Sequence, residues 1–175
     1  MTIGFSPGGG VSAPRGGTVT PAKEVPSKVD FSRVLVRLRT NGYHVTVRVA
    51  QGGDCVAHSY GTVQGFFRSN PCSSLSRAVF ELRDRHKNVI LLALSQVDMP
   101  SVAAARSYKA LVDRDATGNI TELSRESGAY RSVRYTGDFY ASSLDGRTVR
   151  NAQVQPVGWW PAAALLNSIR SDALP

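Results

Sequence analysis

The residues best suited to chemistry lie between Asp54 and Cys72, in the stretch DCVAHSYGTVQGFFRSNPC. Ala57-His58-Ser59-Tyr60-Gly61 has the form of a nucleophile elbow, in which small residues on either side of a serine let two backbones approach at a sharp strand-to-helix turn. An esterase-type serine needs a histidine as base and an acid to orient it. His58, followed by Pro71-Cys72, suggests instead a hydrolytic zinc site of the deaminase kind, with a histidine, two cysteines and a glutamate that shuttles the proton. The simplest chemistry is oxidation of the two thiols, Cys55 and Cys72, to one another.

The elbow is similar to the A-H-S-x-G elbow of some lipases and other α/β-hydrolases, which place the acid and then the histidine after the serine. Here His86 is the only histidine downstream of Ser59, in the polar stretch Arg85 to Asn88, and the chain beyond Ser59 is too short for the remaining parallel sheet. Ser59 is therefore expected to cap a helix. The deaminase pattern lacks its glutamate, because Ser59 and Tyr60 follow His58, and its second cysteine, because Leu75 stands in that place. Cys55, His58 and Cys72 leave a zinc ion without an obvious fourth ligand unless Asp54 bends in. No metal and no cofactor is expected. A helix of about ten residues between the cysteines allows their Cα atoms to come within the roughly 4.4 to 6.8 Å of a bridge. A Cys55–Cys72 disulfide is the favoured expectation, with two buried unpaired thiols as the alternative.

The elements that must position these residues follow from periodicity. Phe31, Val34, Leu35 and Leu38 share a helical face behind Asp30, and Asn41-Gly42 stops that helix. Val45, Val47 and Val49 alternate as a strand, and Ser59 to Arg68 forms a short helix. RAVFELRD and VILLALSQV make a hairpin, followed by a helix capped by Ser101 with Ala105, Tyr108 and Leu111 inward. Strands at Tyr130 to Ser143 and Thr148 to Val157 flank the turn signal Asp145-Gly146, and a last helix follows Pro161. The order α-β-α-β-β-α-β-β-α predicts an α+β domain over 29–175: a mostly antiparallel sheet of about five strands with helices on one face. Residues 1–28, rich in Gly and Pro, are expected to be a disordered arm.

Composition narrows the function classes. The 175 residues carry 21 Lys and Arg against 13 Asp and Glu, a formal net charge of +8. That balance permits nucleic acid, anionic lipid or an acidic protein as partner, although the basic residues are scattered. No apolar run is long enough to span a membrane, and the start lacks the apolar core of a secretory signal. Those features point to the cytoplasm, while a bridged cysteine pair points to an oxidising compartment.

Further candidates have structural explanations beside the functional ones. Thr117 to Glu122 offers a polar ligand-binding loop, or a turn in which Asn119 and Glu122 form a capping box. Tyr130, Tyr135, Phe139 and Tyr140, interleaved with Arg131 and Arg134, resemble a base-stacking strand or a half-buried one. Trp159 and Trp160 suit either a partner contact or a plug under the last helix.

In order along the chain, DCVAHSYG, NPCSSLSRAVFELRD, VDMP, DATGNITELS and YTGDFYAS resemble a group of small actinobacterial proteins without an assigned function. The likeness spans Val29 to the C-terminus and implies an actinobacterial source, with no activity or catalytic residue attached. The sequence as a whole predicts a non-catalytic binding or protein-interaction module with possible contacts at His58, Ser59, Tyr60, Asn119, Arg131, Arg134, Tyr135, Trp159 and Trp160. Nucleic-acid binding is the first alternative, and a small Ser59 hydrolase the second.

Overall fold

The computed structural model of the chain describes residues 29–174, and the arm expected at 1–28 lies outside the described residues. The elements are α1 (Ser32–Thr40), β1 (His44–Gln51), α2 (Gly61–Ser69), β2 (Ser74–Arg83), β3 (Val89–Asp98), α3 (Val102–Val112), α4 (Leu123–Glu126), β4 (Tyr140–Asp145), β5 (Thr148–Val157) and α5 (Ala163–Ala173). Five strands form one sheet in the order β1-β2-β3-β5-β4, and every neighbouring pair is antiparallel. The α+β class and the antiparallel sheet are as expected from sequence.

Turn chemistry fixes the registers. Between β2 and β3, the Asp84 carboxylate accepts from the backbone N–H groups of His86 and Asn88 and from the Asn88 side chain. Asp145 pairs with Thr148, so Gly146-Arg147 is a two-residue hairpin loop with Gly146 at φ 56°. Ser101 caps α3, its hydroxyl accepting from the Ala104 N–H at 3.1 Å.

The helices divide between the two faces of the sheet rather than lining one. Alternate strand residues point to opposite faces: Ala78, Phe80, Leu82, Ile90, Leu92, Ala152 and Val154 pack with Leu38 of α1 and with Leu166 and Ile169 of α5. Leu75, Val97 and Val149 instead join Val63 and Phe67 of α2 and Ala105, Tyr108 and Leu111 of α3. An uninterrupted buried run such as Val89 to Ser95 fits a strand covered on both sides.

The structure also corrects the strand expected at Tyr130 to Ser143. Only Tyr140–Asp145 is strand, and 129–139 is a turn-rich connection. The tyrosines of the expected strand are used one by one: Tyr130 accepts from Arg83 at 3.1 Å, Tyr135 meets Ser124 at 3.0 Å, and Tyr140, at the start of β4, donates to Asp113 at 2.9 Å.

Candidate functional site

Two long connections, 52–60 and 113–122, run together against the sheet. Ser59 bridges Ile120, Tyr60 N–H donates to Asn119 O at 3.0 Å, and Thr121 N–H donates to His58 O at 2.8 Å. Glycines permit this approach: a Cβ on Gly118 would lie 2.1 Å from the Tyr60 carbonyl oxygen, and one on Gly61 would lie 2.8 Å from that of Thr117. Both also have positive φ, 88° and 67°, which side chains disfavour.

The contact delivers His58 to α4. Its Nδ1 lies 2.8 Å from Glu126 Oε1, while Glu126 Oε2 accepts from Arg77 Nη2 at 2.8 Å. Arg77 is buried under the connection, and its other terminal nitrogen donates to Thr121 O at 2.9 Å. Burial alone would raise the Glu126 carboxyl, but the hydrogen bonds from Arg77 and His58 outweigh it and hold the group below the usual carboxylate range. The relay Arg77–Glu126–His58 therefore latches two connections to strand β2.

Ser59 takes no part in that relay. Its hydroxyl donates to the Cys55 carbonyl, and Tyr60, not Ser59, occupies the N-cap of α2, with no side-chain cap bond. The expected cap is overridden because the Ser59 bridge to Ile120 keeps its residue in extended backbone ahead of the helix. His86 is exposed in the β2–β3 turn. Asn119 does not cap α4 either: its Oδ1 accepts from Ile120 N–H and from Asn151 Nδ2, and Glu122 holds the N-cap position.

Beside the latch the sheet carries buried polar groups. Asn151 Nδ2 donates to Tyr108 OH at 2.9 Å and to Asn119 Oδ1 at 3.1 Å, and Gln153 Nε2 donates to Glu122 Oε1 at 2.8 Å. Ser95 lies across from Asn151, and Ala93 across from Gln153. Burial pushes the Glu122 carboxyl up, with Arg125 and Gln153 offsetting only part of that push. A cavity of about 10 Å³ opens among Ser95, Asn119, Glu122, Asn151 and Gln153. Sequence reasoning missed Arg77, Ser95, Glu126, Asn151 and Gln153. The alternation Asn151-Ala152-Gln153-Val154-Gln155 was visible, but polar residues at period two ordinarily mark a solvated face, and here the 113–136 connection covers it.

The cysteine sulfurs of Cys55 and Cys72 lie at disulfide distance, 2.02 Å, with Cα atoms 6.2 Å apart at the two ends of α2. At the other end of the sheet, the two tryptophans separate in role. Trp159 donates from Nε1 to Val89 O at 2.9 Å and packs on the α1/α5 core, whereas Trp160 is 68% exposed. Arg131 and Arg134 are exposed on the 129–139 connection, and Tyr60 is partly exposed beneath the Arg125 guanidinium, 5.9 Å from its ring centre. Among the described residues no group of three or more His, Cys, Asp and Glu side chains is placed to hold a metal, and no helix is long and apolar enough to cross a membrane.

No family model, no curated protein and no solved structure matches the chain.

Proposed function

We propose that the protein is a non-catalytic interaction module that docks an acidic protein segment at the Trp160 end of the sheet. The observation that carries this reading is the exposure of Trp160 within Val157 to Leu166, a run without one polar side chain. Ala162, Ala163, Ala164 and Leu165 beside it are exposed as well. An open tryptophan beside small apolar residues is the residue type that dominates binding energy at protein interfaces, because it buries a large area at little entropic cost. Charge supports the choice of partner. Trp159 is bonded to Val89, and Val89 pairs with Val157, so the run leaves the sheet beside the β2–β3 turn with its exposed Arg85, His86 and Lys87. Basic groups flanking an apolar anchor complement acidic side chains flanking an apolar one.

The test is a titration of the labelled full chain with a synthetic peptide of alternating Glu and Leu. The Trp160 indole N–H resonance and those of the first turn of α5 are expected to shift saturably, less so at high salt. Trp160→Ala should abolish the effect at unchanged Tm, while Trp159→Ala should lower stability by about 3 kcal/mol through lost packing. Shifts produced by generic DNA or by anionic lipid vesicles, and not by the peptide, would overturn the proposal. The chain's place in the actinobacterial group that it resembles is likewise proposed.

A further inference from the structure

We propose that the outer edge of β1 receives an acidic peptide segment as an added antiparallel strand, with its carboxylates beside Arg48 and its apolar side chains beside Val49. β1 lies across the sheet from β5, the strand that leads to Trp160, so the two surfaces are separate and neither depends on the other.

The backbone of β1 is open on one side. The strand ends the sheet, and among the described residues none of its members makes a backbone hydrogen bond outside the ladder with β2. That ladder runs without a bulge from His44 opposite Arg83 to Gln51 opposite Ser76. In an antiparallel pair every second residue turns both its N–H and its C=O away from the partner strand. The Val45 carbonyl accepts from Arg39 Nη2 at 3.3 Å, which places Val45, and with it Val47 and Val49, in the outward set. Edge strands are ordinarily protected by proline, a bulge or lysine, because open N–H and C=O groups template another strand. β1, HVTVRVAQ, has none of these.

The side chains along this edge differ between its two faces. Val45, Val47 and Val49 alternate onto the face of the α1/α5 core, and Thr46 and Arg48 onto the other. Val49 is 44% exposed, the one large apolar side chain on any strand that is open. Above it, Arg37 reaches from α1 to the Asp172 carbonyl of α5 and Arg39 reaches to β1, which identifies the two flanks of the helix. Val36, 62% exposed and three positions before Arg39, shares the β1 flank.

The charge around the edge has one sign. Residues 31–53, which hold α1 and β1, contain Arg33, Arg37, Arg39 and Arg48 and no Asp or Glu. All four are exposed, and none forms an ion pair among the described residues. Arg48 is also held in place: the hydroxyl and carbonyl oxygens of Ser127 accept from its Nη1 and Nη2 at 2.6 and 2.9 Å. A guanidinium already ordered and without a carboxylate receives one at little further cost in side-chain entropy.

These features select the occupant. Arg48 turns its backbone toward β2, so the residue across from it on an added strand sits in the narrow kind of pair, with Cα atoms roughly 4.5 Å apart. An opposite charge there stabilises the pair and a like charge destabilises it. The residues across from Val47 and Val49 fall on the Val36 face, where apolar side chains fit. A strand that alternates acidic and apolar residues meets both demands. A second copy does not, because its own β1 and α1 would bring four more arginines and no carboxylate.

Hydrogen exchange in the labelled full chain reads this edge residue by residue. The Val47 and Val49 amides are expected to exchange fast in the protein alone, and the Thr46 and Arg48 amides, bonded to β2, slowly. An eight-residue peptide alternating Glu and Val should protect Val47 and Val49 saturably. The same peptide N-methylated at the residues that bond β1 keeps every side chain and should bind about tenfold more weakly or worse. A Lys–Val peptide and single-stranded DNA should give no protection. Arg48→Glu should weaken binding about tenfold. Val49→Pro removes one outward N–H at a place where edge strands tolerate proline, and should abolish the protection in a protein of wild-type dispersion. Trp160→Ala should leave it unchanged, so this surface and the Trp160 end can fail separately. Equal binding of the N-methylated peptide, the Lys–Val peptide or DNA would overturn the proposal. So would protection of Val47 and Val49 before any peptide is added, which would mean an edge already paired, by a second copy if it grows with protein concentration.

Discussion

Glu122 and Glu126 stand four positions apart on one short helix, yet their surroundings drive their titrations in opposite directions. Glu126 faces His58 and Arg77, whose hydrogen bonds overcome its burial and hold its carboxyl low. A carboxyl lowered on folding adds stability that is present above the unfolded value, about 4.3, and lost as pH falls through the folded one. Glu122 faces Arg125, Gln153 and the rings of Tyr60 and Tyr135, and its burial dominates. A carboxyl raised on folding contributes fully below the unfolded value and loses that contribution as pH rises through the folded one. Urea unfolding of the wild type, Glu126→Gln and Glu122→Gln from about pH 3 to pH 7 should therefore separate them. Glu126→Gln should flatten the loss of stability in acid, and Glu122→Gln should flatten the decline on the way to neutral pH. Identical slopes in all three proteins would show that neither environment is coupled to folding.

At the scale of elements, α2 is tied at both ends. It carries Val63 and Phe67 into the core, where Phe67 packs 4.9 Å from Tyr108 between ring centres, and it runs between two cysteines at disulfide distance. A bridge closing a loop of that length should contribute about 3 kcal/mol in the chain-entropy model. Reduction, or replacement of Cys55 and Cys72 by Ser, should lower the unfolding free energy by that order. Alkylation and intact mass should find no free thiol before reduction in protein from an oxidising compartment; two alkylated thiols there would end the bridge. The neighbouring connections explain why Asn119 and Ser59 looked like caps. Each has the right side chain ahead of a helix, but the Asn119 oxygen accepts from Ile120 N–H and from the distant Asn151, and the Ser59 hydroxyl turns back to donate to the Cys55 carbonyl while its backbone bridges Ile120. The 129–139 connection misled in the same way, since its two tyrosines, Tyr130 and Tyr135, satisfy separate partners, Arg83 and Ser124, and form no single face.

For the molecule as a whole, β3 is the shared wall of two cores. Leu92 points into the α1/α5 side and Val97 into the α2/α3 side, and both are fully buried. Leu92→Ala should cost about 3 kcal/mol, within the range for buried leucines, and should destabilise both layers together. Trp159 fluorescence and hydrogen exchange in α3 would then report one coincident transition. Protection retained in α3 after the Trp159 signal is lost would mean that the layers unfold separately.

The sequence by itself determined the α+β class, the antiparallel hairpins, four of the five helices and the closeness of the two cysteines, because each follows from local period, turn residues or short chain separation. The tertiary structure alone decided which side of each strand was covered, and so converted Asn151 and Gln153 from an apparent solvent face into the wall of a cavity. It also decided the partners of His58 and Asn119. Arg77, Glu126 and Asn151 lie far from them in the chain, and local pattern carries no record of which distant side chain will meet a polar one once backbones cross at Gly61 and Gly118. Of the two tryptophans, adjacency made them equal in sequence, and the bond to Val89 made one a plug and left the other open.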